Sequence, residues 1–224
     1  MHEFYVGYLP VPPGLRRFAR RIVVALAAVA AGVAAMLVAG QGPFAASTLE
    51  YGVALDFEGV LLMTPYPALL APGGTPWLLV APGKHGFTAP AGLAGHRVRL
   101  RGERVYRGPD RMIEVTGGAM ADGGPADVPV ERDLGRVELT GEIVDSKCYF
   151  GVMNPGNGKV HRDCAVRCLS GGVPPALLVR DAAGRAKTVI IANWRREMLE
   201  HAAEPVTLCG RLTESAGRLI LYAE

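Results

Sequence analysis

The sequence predicts a mainly β protein with short helices: an N-terminal single transmembrane helix followed by two small OB-like β-barrel domains. Three observations lead there. Glycine and proline are abundant, 29 and 17 residues, which favours turns and short strands over long helices. No charged residue occurs from Ile22 to Leu49. After that stretch the chain reads as two similar halves.

The apolar run comes first. At a rise of about 1.5 Å per residue, "IVVALAAVAAGVAAMLVAG" can cross a hydrocarbon core of about 30 Å. The anchor is expected over 22–42. Arg16, Arg17, Arg20 and Arg21 precede it, and no Lys or Arg follows until Lys84. The positive-inside rule then places residues 1–21 in the cytoplasm as a tail, and the bulk of the chain in the periplasm of a bacterial inner membrane. A cleaved signal peptide is the rival, since "PFAAS" offers small residues near Ala46. The apolar run exceeds the usual h-region, and a long segment precedes it, which favours an uncleaved anchor. Phe4, Tyr5 and Tyr8, among three prolines, suit a membrane interface, a partner surface or a free tail. The net charge of +3 is modest, and the four arginines before the anchor account for it as a topology signal. No nucleic-acid partner is implied.

The halves match in order. The first runs "LDFEGVLLMTPYPALL", "PWLLVAPG", "HRVRLRGERVYRGPDRMIEV"; the second runs "VELTGEIVDSKCYFG", "PALLVRDAAGRAKTVIIA", "EPVTLCGRLTESAGRLILYA". Each has a strand with an internal glycine (Gly59, Gly141), an apolar central strand and a strand carrying a second glycine (Gly102, Gly210). Alternation at Val98 and Leu100, and at Val206 and Leu208, gives these strands one buried face. Internal strand glycines mark bends or bulges, as small closed barrels require. About five short strands per half suggest barrels of the OB type, over 47–118 and 136–224. Between them, 119–135 lies within a Gly/Ala-rich stretch without periodicity and reads as a linker. "NWRREMLEHAA" predicts a helix over Asn193–Ala203, with Asn193 as N-cap and Trp194, Met198 and Leu199 on one face. "AVRCLSGG" ends another helix, with Gly171 as its C′ residue.

The candidate chemistry is concentrated between Asp145 and Gly172. Cys148, His161, Cys164 and Cys168 form C-x12-H-x2-C-x3-C. On a helix, His161, Cys164 and Cys168 share one face, and a glycine-rich loop lets Cys148 fold back. One imidazole and three thiolates suit a single zinc or copper ion. Asp145 and Asp163 could each orient His161 from behind, although Asp163 reads more simply as a helix N-terminal carboxylate. Met153 offers a thioether to copper, although "MNPGNG" is also a simple turn.

A disulfide clasp competes, because the compartment is oxidising. Cys148 would bond Cys164 or Cys168, and the remaining thiol would pair with Cys209. Thiol–disulfide exchange is a third reading, weakened by the lack of C-x-x-C. His2, His85, His96 and His201 read as surface or structural histidines. No G-x-S-x-G, Walker loop, H-E-x-x-H or C-x-x-C-H occurs. A stand-alone enzyme and covalent haem are therefore not expected.

"LTGEIVDSKCYFG…KVHRDCAVRCLSGGVPPALL" resembles an uncharacterised domain family of exported bacterial proteins. Its pattern is G-E-V-V-D-x-x-C-Y, a glycine-rich loop, H-x-x-C-A-x-x-C, then G-x-P. The resemblance covers about residues 136–224. It implies export and a shared role for Cys148, His161, Cys164 and Cys168, and it names no substrate. Cys209 is outside the pattern. The first half has "TPYP" where "DSKCY" would stand and reads as a degenerate or structural copy. The function expected is a membrane-anchored periplasmic accessory subunit of a redox assembly, with protein partners in an inner-membrane complex. A disulfide-stapled structural or binding module, and a copper or haem assembly factor, are the alternatives.

Overall fold

The computed structural model describes residue 7, residues 10–41 and residues 47–224, side chains excepted at 118–122. The expectations for His2, Phe4, Tyr5, Tyr8 and the Ala46 region lie outside the described residues. The chain divides into two units, Met1–Phe44 and Ala45–Glu224.

The first unit carries helix α1, Pro13–Ala39, 27 residues long. It begins earlier than the predicted anchor and takes in all four arginines. Proline suits the first helical position, because the N–H it lacks would have no intrahelical partner. Arginine is a good helix former, so the charged segment continues the apolar one without a break. No side chain of α1 is buried. By length and composition the helix can cross a membrane.

The second unit is built from strands. Its first half contains β1 (Thr48–Leu49), β2 (Leu55–Leu62), β3 (Ala68–Leu70), β4 (Pro76–Ala81), β5 (His85–Gly86), β6 (His96–Arg107) and β7 (Asp110–Pro125). These make one seven-stranded sheet. β2 pairs with β3 and β6, and β3 with β4. β7 pairs with β6 and, in parallel, with β4, so the pairing order returns on itself. The second half has β8 (Arg132–Asp145), β9 (Pro175–Arg180), β10 (Ala186–Ala192), β11 (Pro205–Ser215) and β12 (Arg218–Ala223). They close as a barrel in the order β10-β12-β11-β8-β9, with β10 and β12 parallel.

The halves repeat down to their glycines. A Cβ on Gly59 would stand 2.4 Å from the Leu70 carbonyl oxygen, and one on Gly141 would stand 2.7 Å from that of Leu178. In each half the second strand crosses the first closely enough that only glycine fits, as the predicted bend requires.

Three expectations change. The predicted linker is largely strand: β7 runs to Pro125 and β8 starts at Arg132, leaving Ala126–Glu131 between them. Backbone pairing to β6 holds this stretch, and ladder hydrogen bonds do not need a side-chain pattern. The helix expected over Asn193–Ala203 is a 3-10 helix over Arg196–His201, with Arg195 as N-cap. Asn193 has φ 56°, the left-handed region that asparagine tolerates, and cannot cap it. Met198 still packs with Trp194 and Leu199 in one cluster, as expected. The helix over the cysteines, α2, spans Arg162–Ser170; Gly171 is its C-cap at φ −81°, and the left-handed residue is Gly172.

One core joins the halves. Leu78, Val80, Val105 and Met112 from the first pack with Val144, Phe150, Ala176 and Ile190 from the second. Lys147 adds a polar tie. Its ammonium is buried and donates to the carbonyl oxygens of Ala81 (2.8 Å) and Gly83 (2.6 Å), with the Glu114 carboxylate at 2.6 Å.

Candidate metal centre

The site occupies the connection from β8 to β9. The first half has only Met63–Pro67 between the equivalent strands β2 and β3. The insertion comprises a π-helical turn, Cys148–Val152, a 3-10 turn, Lys159–His161, and α2.

Asp145, at the buried end of β8, organises it. Its Oδ1 accepts from the Cys148 N–H at 2.8 Å and starts the π-helical turn. Its Oδ2 lies 2.8 Å from His161 Nε2. A carboxylate accepts only, so the Asp145 contact assigns the imidazole proton to Nε2. His161 Nδ1 is then a bare acceptor, buried and without a partner. Orphaned buried acceptors are uncommon and cost about 1–3 kcal/mol, and a carboxylate-backed histidine with one free nitrogen is the arrangement metal ligands use. The orienting role predicted for Asp145 is seen, while Asp163 stands exposed in the first turn of α2.

Cys164 and Cys168 are four apart on α2 and face Cys148. The Cys148 Sγ lies 3.7 Å from Cys164 Sγ and 3.9 Å from Cys168 Sγ. A zinc–sulfur bond of about 2.3 Å places tetrahedral thiolates about 3.8 Å apart, whereas a disulfide needs about 2.05 Å. All four cysteines are free. The three sulfurs lie within 4.8 Å of one another; Asp145, Cys148 and His161 form a second such group. The four predicted ligands thus come together as two overlapping sets sharing Cys148. Cys209 does not join them: it is exposed on β11, with Sγ 3.6 Å from Glu138 Oε2. It points off the barrel, and the pairing with Cys164 or Cys168 is not formed.

Lys84 is the group that the sequence did not reveal. Its Nζ lies 2.7 Å from Cys164 Sγ and 3.9 Å from Cys168 Sγ. It sits between β4 and β5, in the half without cysteines, and close backbone packing delivers it. Gly86 N–H donates to the Gly171 carbonyl at 2.9 Å, and a Cβ on Gly171 would stand 1.9 Å from the Lys84 carbonyl oxygen. Lys147, likewise unforeseen, holds the same turn through Ala81 and Gly83.

The thiols are electrostatically unequal. The Cys148 thiol donates toward Cys168, and that bond, with burial and Asp145, pushes its pKa far up. The same bond, aided by Lys84, pulls Cys168 below the usual thiol value. The Cys164 contact raises the Lys84 pKa. Thiols lose their protons when they ligate a metal, and a bound cation would offset the negative charge so formed. Met153 Sδ is 3.7 Å from Cys164 Sγ, at the exposed rim. His85 is exposed on β5, and His201 lies 4.0 Å from Glu204. Neither belongs to a metal-ligating group among the described residues. Comparison with protein-family models, curated proteins and solved structures finds no match to this chain.

Proposed function

We propose that the chain is a membrane-anchored accessory subunit of a redox assembly, holding one zinc or copper ion on Cys148, Cys164, Cys168 and His161. In this reading α1 spans a bacterial inner membrane with its arginines in the cytoplasm, and the strands form two OB-like barrels on the periplasmic side. Protein partners in the membrane complex dock on them. The single observation that carries the reading is three thiols at metal-ligand spacing, with the carboxylate-oriented His161, its buried Nδ1 free, grouped with Cys148 and Asp145. Four protein ligands close the coordination shell, which suits a structural or electron-relay ion better than a hydrolytic one.

A second reading, copper delivery to a partner, is favoured by Met153. A thioether at the rim of a thiolate cluster offers a soft ion a stepwise path in and out.

Native mass spectrometry of the full chain in detergent, with thiol alkylation, tests the metal. One bound ion is expected, with Cys209 alkylated in the folded protein and the other three only after unfolding. A metal-free chain two hydrogens lighter, unable to take up zinc or copper after reduction, would replace the ion by a disulfide clasp.

A further inference from the structure

A second site of different chemistry lies where the halves meet. The β6–β7 hairpin tip, the β11–β12 hairpin tip and the start of β10 enclose a cleft of about 520 Å³. That is the size of a small-molecule pocket, and a junction between halves is a common place for one.

Its walls are cationic. Arg107, Arg111, Lys187 and Arg218 line it, with Asp110 the sole carboxylate. None of the four cations belongs to an ion pair among the described residues. Elsewhere on the strands arginines are matched to acids: Arg99 to Glu58, Arg101 to Asp56, Arg132 to Glu214, Arg136 to Glu224. Asp110 is engaged by the Thr188 hydroxyl at 2.5 Å. Burial raises its pKa, against the opposing pull of Thr188, Arg218, Arg107 and Lys187.

The cations are also held in place. Arg107 lies over the Tyr149 ring at 4.1 Å and Arg111 over Trp77 at 5.4 Å. Arg218 donates to the carbonyls of Pro76 (3.0 Å) and Arg111 (3.3 Å), pinning the two hairpins together. Arg107 Nε is buried without an acceptor. Guanidinium groups fixed on aromatic faces lose little freedom when they meet an oxyanion, and their paired N–H groups match its geometry.

We propose that this cleft binds a small soluble ligand through a multiply charged oxyanion, phosphate or carboxylate, gripped chiefly by Arg111, Lys187 and Arg107. The site is independent of the thiol centre and of whether that centre holds metal.

The test is calorimetric titration of the full chain in neutral detergent with pyrophosphate and, separately, succinate. Saturable binding of one equivalent is expected for at least one probe, weakening as salt rises. Arg111→Ala and Lys187→Ala should each weaken it about tenfold or more, with thermal unfolding checked in both. Lys187 is exposed, so its replacement leaves packing intact. Arg99→Ala, which breaks a pair outside the cleft, should leave affinity unchanged. Preference for one probe identifies the oxyanion. Absence of saturable binding, or an equal loss in Arg99→Ala, overturns the proposal. Binding only to anionic lipid vesicles would also overturn it, in favour of a membrane-surface patch.

Discussion

Lys147 stands out at the residue scale because a buried ammonium is costly unless every donor is matched. Two carbonyls and the Glu114 carboxylate match it. Lys147→Met should therefore destabilise the protein by about 3–5 kcal/mol, as truncating one partner of a buried pair does; urea unfolding measures this. The roles of Asp145 are separable from stability. Asp145→Asn should weaken zinc or copper binding about 10–100-fold, read by chelator competition, because the imidazole loses its anionic anchor. Asp110 gives the pH dependence. Its carboxyl is raised above the unfolded value by burial, so the folded state holds the proton more tightly. Its contribution to stability is present below the ordinary carboxyl range and lost as pH rises through the raised value. Asp110→Asn should flatten that decline in a series of melts from acid to neutral pH. An unchanged pH profile would assign the decline to other carboxyls.

At the element scale, the site depends on a contact between a hairpin turn and the end of a helix. A Cβ on Gly86 would meet the Gly172 carbonyl oxygen at 2.1 Å, which backbone cannot yield without moving. Gly86→Ala should cost about 1–3 kcal/mol by overpacking and displace Lys84 from Cys164. A changed rate of Cys164 alkylation in the metal-free variant would report that displacement. Loss of stability with unchanged Cys164 reactivity would show that the turn does not position the lysine. α2 itself was legible: the spacing of Cys164 and Cys168 requires one helical face, and the helix is there. The helix expected over Asn193–Ala203 was mistaken in type, since Asn193 takes up a left-handed conformation before the turn begins.

The whole molecule joins a strand-built unit in sequence to an apolar helix long enough, by length and composition, to span a membrane. In the proposed topology, with the arginines inside, every cysteine would face the opposite compartment. Cys209 is exposed on β11, and a membrane-impermeant maleimide should label it in intact spheroplasts. Labelling only after lysis would reverse the topology. Within the strand-built unit the halves share a core, so truncation between β7 and β8 would expose Leu78, Val105 and Met112 to water.

The sequence by itself determined the long apolar helix, the repeated strand order with its paired glycines, and the three thiols that converge. Each is a local pattern: a run of apolar residues, an alternation, a four-residue spacing on a helix. Tertiary structure alone decided that the stretch read as a linker is mostly strand and that the halves share one core. It also brought Lys84 and Lys147, both tied to the other half, to the cysteine turn. It set His161 on Asp145 with its second nitrogen free, and gathered four cations and one carboxylate into one cleft. These contacts join residues far apart in the chain. No local period encodes them, because they follow from how closely two sheets and one helix end can pack.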